Sequence, residues 1–166
     1  MNNTVIFIPS HLRANRLPNK PLLLINNKPM IVHCWQRAVE SKIGDVYVAT
    51  ADEEIAKVIK DVGGKSILTS KEHKTGSDRI FEAIEKNFSK KPENIINLQG
   101  DMPNINPLAI KLLDKFMKNN SYQIATLATT LNSKKDLTNK NIVKVETKKE
   151  MQINKFDNEL DFFRLK

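Results

Sequence analysis

Three short segments of the 166-residue chain concentrate side chains suited to phosphate chemistry. The first, Ile8 to Leu22 (IPSHLRANRLPNKPL), carries Arg13, Arg16 and Lys20, with Pro18 and Pro21 stiffening the path. Arginine offers paired donors and lysine a compact charge, so several cations on one loop suit a triphosphate. A solvated basic loop would account for the charge equally well. The segment is not a Walker A loop, because it has no glycine and lacks the GxxxxGK[ST] spacing. The second segment is Lys74 to Arg79 (KTGSDR), where Thr75, Gly76 and Ser77 combine hydroxyls with close backbone approach ahead of a helix N-terminus. Capping that helix is the alternative task for Ser77 or Asp78. The third, Asn97 to Pro103 (NLQGDMP), sets Asp101 just after an apolar run, where a carboxylate can hold Mg²⁺ together with nucleotide phosphates. Initiating a turn is its structural alternative.

Alternating strands and helices must position these segments. Val5 to Ile8, Asp45 to Ala49, Lys65 to Leu68, Asn94 to Leu98 and Ile124 to Thr130 read as strands. Met30, Ile31, Cys34, Trp35, Ala38 and Val39 recur at helical spacing after Pro29. Ile55, Val58, Ile59 and Val62 mark a second helix that stops at Gly63 and Gly64. Ile80, Phe81, Ile84 and Phe88 mark a third, and Pro107 to Met117 a fourth. This order predicts an α/β fold with a mostly parallel sheet covered on both faces. Ligands in such folds bind outside the carboxyl ends of the strands, at the loops Pro9 to Pro21, Thr50 to Glu53 and Gln99 to Pro103. The first of these is far longer than the roughly two to six residues usual for a strand-to-helix connection. The Asn/Lys-rich stretch from Asn132 to Asn141 reads as a mobile loop.

The length predicts a single domain over 1–166. With 40% hydrophobic and 28% charged residues, the composition is that of a soluble globular protein. The net charge of +8 raises the question of nucleic acid. Most lysines are scattered, however, and no nucleic-acid-binding motif accompanies them, so no nucleic-acid partner is expected. The single Cys34 sits among helix-core residues and suits a reducing compartment. With neither a signal-peptide pattern nor an apolar run long enough to span a bilayer, the expectation is a cytoplasmic protein with no membrane insertion. His33 and Trp35 read as packing residues, and His73 lies in a polar turn without an identifiable partner.

Ile8-Pro9-Ser10-His11, Asn15-Arg16-Leu17-Pro18-Asn19-Lys20-Pro21-Leu22 and Lys28-Pro29-Met30-Ile31-Val32-His33 together resemble the signature of the 3-deoxy-manno-octulosonate (Kdo) cytidylyltransferase family. Thr75-Gly76-Ser77-Asp78-Arg79 is similar to that family's S-G-T-D-R, with the hydroxyl residues exchanged. Asn97-Leu98-Gln99-Gly100-Asp101-Met102-Pro103 is similar to its N-x-Q-G-D-x-P. Two departures stand out: His11 replaces an arginine and Asn19 a glycine.

The resemblance implies a three-layer Rossmann-like nucleotidyltransferase fold, incomplete at the C-terminus, because the family's second half follows the point where this sequence stops. It implies transfer of CMP from CTP to Kdo with release of pyrophosphate, for lipopolysaccharide biosynthesis, with Mg²⁺ as cofactor. Lys20 and Asp101 would be the catalytic residues, with Asp101 the metal ligand. Pro9, Ser10, His11, Arg13, Arg16, Lys20, Thr75, Gly76, Ser77, Arg79 and Gln99 would bind the nucleotide. A homodimer is implied for the full-length family. Without the second half, weak nucleotide binding and little turnover are expected of this polypeptide, with apolar surface that favours aggregation. The alternatives are a cytidylyltransferase for another acid sugar, or a nucleotide-binding remnant without catalysis.

Overall fold

The computed structural model describes residues 3–13, 17–131, 133–147 and 160–163. Where the sequence reading takes 1–166 as one domain, the chain divides into two compact units, Met1–Ala125 and Thr126–Lys166.

The first unit is built on β1 (Thr4–Ser10), whose TVIFIPS run is apolar without alternation because the strand is covered on both faces. Val5 and Phe7 point to one side, Ile6 and Ile8 to the other. The chain then runs through a short 3-10 helix (Lys20–Leu22) and a hairpin of β2 (Leu24–Ile25) and β3 (Lys28–Pro29) into α1 (Met30–Glu40). Asn26 and Asn27, at φ 47° and 60°, form the hairpin's two-residue turn, and asparagine tolerates this left-handed region well. Next come β4 (Asp45–Thr50), α2 (Glu53–Asp61), β5 (Lys65–Leu68), α3 (Gly76–Asn87), β6 (Asn94–Asn97) and α4 (Pro107–Asn119).

The sheet order is β5-β4-β1-β6, with every pairing parallel. Ile6, Ile8, Val46 and Val48 pack with Ile31, Val32, Cys34 and Ala38 of α1, Ile55 and Ile59 of α2, and Ile110 of α4. On the opposite face Val5, Phe7, Ala49 and Ile67 meet Ile80, Ala83 and Ile84 of α3. Phe7, Tyr47 and Phe88 close this second core as a ring cluster with centroids 5.3 to 5.7 Å apart. The unit is therefore the three-layer α/β arrangement expected. Because β4 and β5 lie on one side of β1 and β6 on the other, the chain reverses its winding between β1 and β6, where such sheets open a crevice.

Two expectations are corrected. Ile124 to Thr130 is not a strand: Ile124 is 89% exposed, and no described strand offers this segment a ladder. Its β-branched residues suit a strand, but pairing needs a neighbour. The Asn132 to Asn141 stretch is not simply a loop. It contains α5 (Lys134–Thr138), capped by Ser133, whose hydroxyl accepts from the Asp136 N–H at 3.2 Å. In this second unit β7 (Lys144–Thr147) pairs antiparallel with β8 (Leu160–Phe163). No helix among the described residues is long and apolar enough to cross a membrane.

The base of the sheet is tied to α4 by one buried bond. Thr4 Oγ1 donates to Asp114 Oδ1 at 2.6 Å, and Lys118 Nζ donates to the other carboxylate oxygen at 2.8 Å. Thr4→Val keeps the side-chain shape but leaves a buried carboxylate oxygen without its donor. A loss of about 1–3 kcal/mol in a urea melt is the expected result.

Candidate functional site

Pro9 lies at the centre of the strand ends. A β-carbon on Gly76 would come within 2.9 Å of the Pro9 ring, and one on Gly100 within 3.0 Å of the Pro9 carbonyl. A side chain at Gly76 would force a shift, and one at Gly100 would press the Pro9 carbonyl out by a few tenths of an ångström. These close approaches bring the N-terminus of α3 and the loop after β6 against the end of β1 from different sides. Two of the three candidate segments thus converge on the third.

On the β6 side, Lys20 Nζ donates to Asp101 Oδ2 at 2.8 Å, joining residues 81 positions apart. Lys20 opens the 3-10 helix directly after Asn19, which sits at φ 56°. Asparagine in place of glycine is therefore tolerated at this left-handed position. The two side chains are 37% and 52% exposed, so the pair adds little stability, no more than about 1 kcal/mol. Both charges remain accessible to a ligand. Gln99 Nε2 donates to Asn97 Oδ1 at 3.0 Å on the same loop.

On the β4 and β5 side, a cleft of about 200 Å³ is lined by His11, Arg13, Ala51, Asp52, Lys71, His73, Lys74 and Arg79. Asp52 fixes the incoming loop, since its Oδ2 accepts the Leu12 N–H at 2.9 Å, between His11 and Arg13. The Asn19 N–H donates to the Leu12 carbonyl at 3.3 Å and ties the loop back on itself. Arg79 is almost wholly buried, and its Nη1 donates to Thr69 Oγ1 and to the Ser70 carbonyl. Burial lowers its pKa from the ordinary arginine value, against which Asp52 and Glu82 hold the charge in place. Arg16 lies outside the described residues.

The helix cap differs from expectation. Neither Ser77 nor Asp78 caps α3; Thr75 does, its Oγ1 accepting the Asp78 N–H at 3.1 Å and donating to Asp78 Oδ2 at 2.7 Å. Thr75 holds the extended backbone that a cap requires, whereas Ser77 and Asp78 already belong to the first turn. His73 likewise has a partner: its Nε2 donates to Glu82 Oε2. The same oxygen accepts the Ser70 N–H at 2.9 Å, and Lys86 bonds the other oxygen. Glu82, Lys71 and Asp52 are not singled out by the sequence, while Lys74 enters only as the first residue of its segment and His73 only as a turn residue without a partner. A turn-to-helix pair nine residues apart has no periodic signal, and Asp52 was visible only as part of a strand-end loop.

Cys34 is core, as expected, and burial pushes its thiol up to about 11. His33 does more than pack, its Nε2 lying 2.8 Å from the Ile25 carbonyl of the hairpin. A hollow of about 430 Å³ lined by Tyr47, Ile67, Asn87, Phe88, Ser89 and Lys90 lies at the C-terminal end of α3, away from the candidate segments.

The cytidylyltransferase family pattern matches residues 5–164, and the chain belongs to that family. Within it, the similarity is to 3-deoxy-manno-octulosonate cytidylyltransferases. The protein of that name from Nitrobacter hamburgensis is 44% identical over 142 residues, which is 85% of this chain and 55% of the relative. The one from Paramagnetospirillum magneticum is 36% identical over 141 residues, 84% of this chain and 57% of the relative. The chain spans just over half the length of these curated relatives. A solved CMP:2-keto-3-deoxy-manno-octonic acid synthetase complexed with CTP superposes with a TM-score of 0.67 at 39% identity, over 71% of this chain and 48% of that one. A cytidylyltransferase from Leptospira borgpetersenii shares the fold at 23% identity, with a TM-score of 0.58 over 72% of this chain and 50% of that one.

Two outcomes follow from the site's polar groups. Ser10 Oγ is buried without a hydrogen-bond partner among the described residues, so Ser10→Ala is expected to raise stability by about 1 kcal/mol in thermal unfolding. Lys86, then the Ser70 amide and His73, hold the Glu82 carboxyl down at about 2, against an ordinary 4.5. A depressed carboxylate stabilises the fold fully above pH 4.5 and loses that contribution as the pH falls towards 2. Glu82→Gln is therefore expected to unfold more easily than the parent at pH 6, with the gap closing between pH 4.5 and 2 in denaturant melts.

Proposed function

We propose that this chain forms the nucleotide-binding part of a cytidylyltransferase that activates the acid sugar Kdo with CTP, giving CMP-Kdo and pyrophosphate. The observation that carries the reading is the Lys20–Asp101 pair, which sets a cation and a carboxylate together at the switch point between β1 and β6. The similarity to named Kdo cytidylyltransferases and to a CTP-bound synthetase supports it.

In this reading the sugar's anomeric hydroxyl attacks the α-phosphorus of CTP, and the bond to the departing pyrophosphate breaks. The protein's share is positioning and charge neutralisation. Lys20, Arg13 and Arg79 draw the phosphates to the strand ends, while Gly76, packed against Pro9 as Gly100 is, sets the first turn of α3 beside the nucleotide. Arg16 is proposed to join them. Thr75, Ser77 and Gln99 orient the base and sugar, with Pro9, Ser10 and His11 forming the wall beside them.

Mg²⁺ fits Asp101, an oxygen donor half exposed at a strand end. No group of three or more His, Cys, Asp or Glu able to hold a metal occurs among the described residues, so phosphate and water oxygens would complete its shell. When bound, the ion would neutralise charge on the phosphates. Lipopolysaccharide biosynthesis in the cytoplasm is the setting proposed for this activity.

The test is pyrophosphate release from CTP plus Kdo with Mg²⁺, compared with Asp101→Asn. Slow release that requires both substrates, and that falls a further 100-fold or so in the variant, is expected of this chain. Release that ignores Kdo, or survives unchanged in Asp101→Asn, sinks the assignment.

A further inference from the structure

Glu82 lies outside every segment that the nucleotide reading uses, yet its side chain is only 12% exposed and carries three bonds. Its Oε2 accepts the Ser70 N–H at 2.9 Å and the His73 ring N–H. One helical turn earlier, Arg79 takes the Ser70 carbonyl at 3.1 Å and the Thr69 hydroxyl. Residues three apart share a helix face. The two side chains therefore hold both backbone groups of Ser70 from the same face of α3. The Glu72 N–H donates to Ser70 Oγ at 3.1 Å, and the Thr75 cap fixes the far end of the turn. Between these anchors, Lys71 and Lys74 stand exposed at the cleft that also contains Arg13 and Arg79.

A turn of this length has no ladder of its own, and two lysines on a free loop would spend most of their time in solvent. Ordering a flexible cation before the ligand arrives lowers the entropy lost on binding. Removing Glu82 would leave Lys71 and Lys74 in the sequence but release the segment that carries them.

We infer that Glu82 is a positioning residue, holding the 70–74 turn so that Lys71 and Lys74 grip the polyphosphate of the nucleotide from the β5–α3 side. The inference rests on the nucleotide reading above and adds to it two phosphate-binding lysines and the carboxylate that places them. Glu82 touches no phosphate itself. Its negative charge, taken alone, would repel one, so a loss of affinity on neutralising it runs against simple electrostatics.

Calorimetric titration of the full chain, with CTP and separately with tripolyphosphate in metal-free buffer, tests this. Glu82→Gln is expected to weaken both probes about tenfold, the size of one lost charge-assisted contact, and the Lys71→Ala/Lys74→Ala pair by at least as much. The triple variant is expected to be no weaker than the lysine pair, because Glu82 acts only through those lysines; a merely structural role gives losses that add. Lys57→Ala, which removes a charge from the solvent face of α2, serves as the charge control and should leave both affinities unchanged. His73→Ala, which keeps the Ser70 bond, should show a smaller loss that also vanishes without the lysines, and it carries the test should Glu82→Gln not fold. Unchanged affinity in the Glu82 and His73 variants, or additive losses, overturns the inference while leaving the nucleotide reading intact. Binding of tripolyphosphate but not CTP supports the clamp and removes the cytidylyl assignment; binding of neither by the parent chain overturns both.

Discussion

The arrangement depends on β1 being buried on both faces and paired on both edges. A strand so placed has to be apolar throughout, and Val5, Ile6, Phe7 and Ile8 are all at most 2% exposed. Because side chains alternate along a strand, the same four residues serve two separate cores, one against α1, α2 and α4 and one against α3. The polar end of the strand then has only one direction to face, outward past Pro9 and Ser10. The candidate chemistry gathers there because loops from both sides of the sheet end beside that single strand.

Strength and accessibility are divided between different groups. The bonds that hold the loops are buried or partly buried: Arg79 to Ser70, Asp52 to Leu12, and Glu82 to Ser70. The Lys20–Asp101 pair is left partly in solvent. Partly exposed ion pairs add little to stability, so exchanging such a pair for contacts with a charged ligand costs the fold little. A buried pair broken in the same way would leave an uncompensated charge. The distribution suits a protein that binds and releases a polyanion repeatedly.

Much of this was legible in the sequence. The strands β1, β4, β5 and β6 and the helices α1 to α4 all announced themselves through apolar runs or helical spacing, since each must bury at least one face. Lys20 and Asp101, singled out from charge alone, are joined by an ion pair, and Gly76 packs against Pro9, a contact that no spacing along the chain announces. The β2–β3 hairpin was not legible, since two-residue strands have no period and the information lies in the backbone angles of Asn26 and Asn27. Thr75 and Ser77 are interchangeable on paper, and only backbone conformation separates the cap from the first turn. Ile124 to Thr130 has strand composition, but composition says nothing of a missing neighbour. The Glu82–His73 bond was invisible for a related reason: it depends on where a turn folds back, not on any spacing along one element.

The packing at Pro9 also bears on how this sequence can change over time. Gly76 and Gly100 approach the same residue, one at its ring and the other at its carbonyl oxygen, so that a methyl group at either place would force its neighbour to shift. Substitution at one of the three positions is therefore constrained by the other two, although they lie far apart along the chain. A neutral drift that enlarges any one of them must pass through a poorly packed intermediate. The trio is expected to vary as a block or not at all, so divergence in this part of the protein is channelled into the surrounding loop side chains.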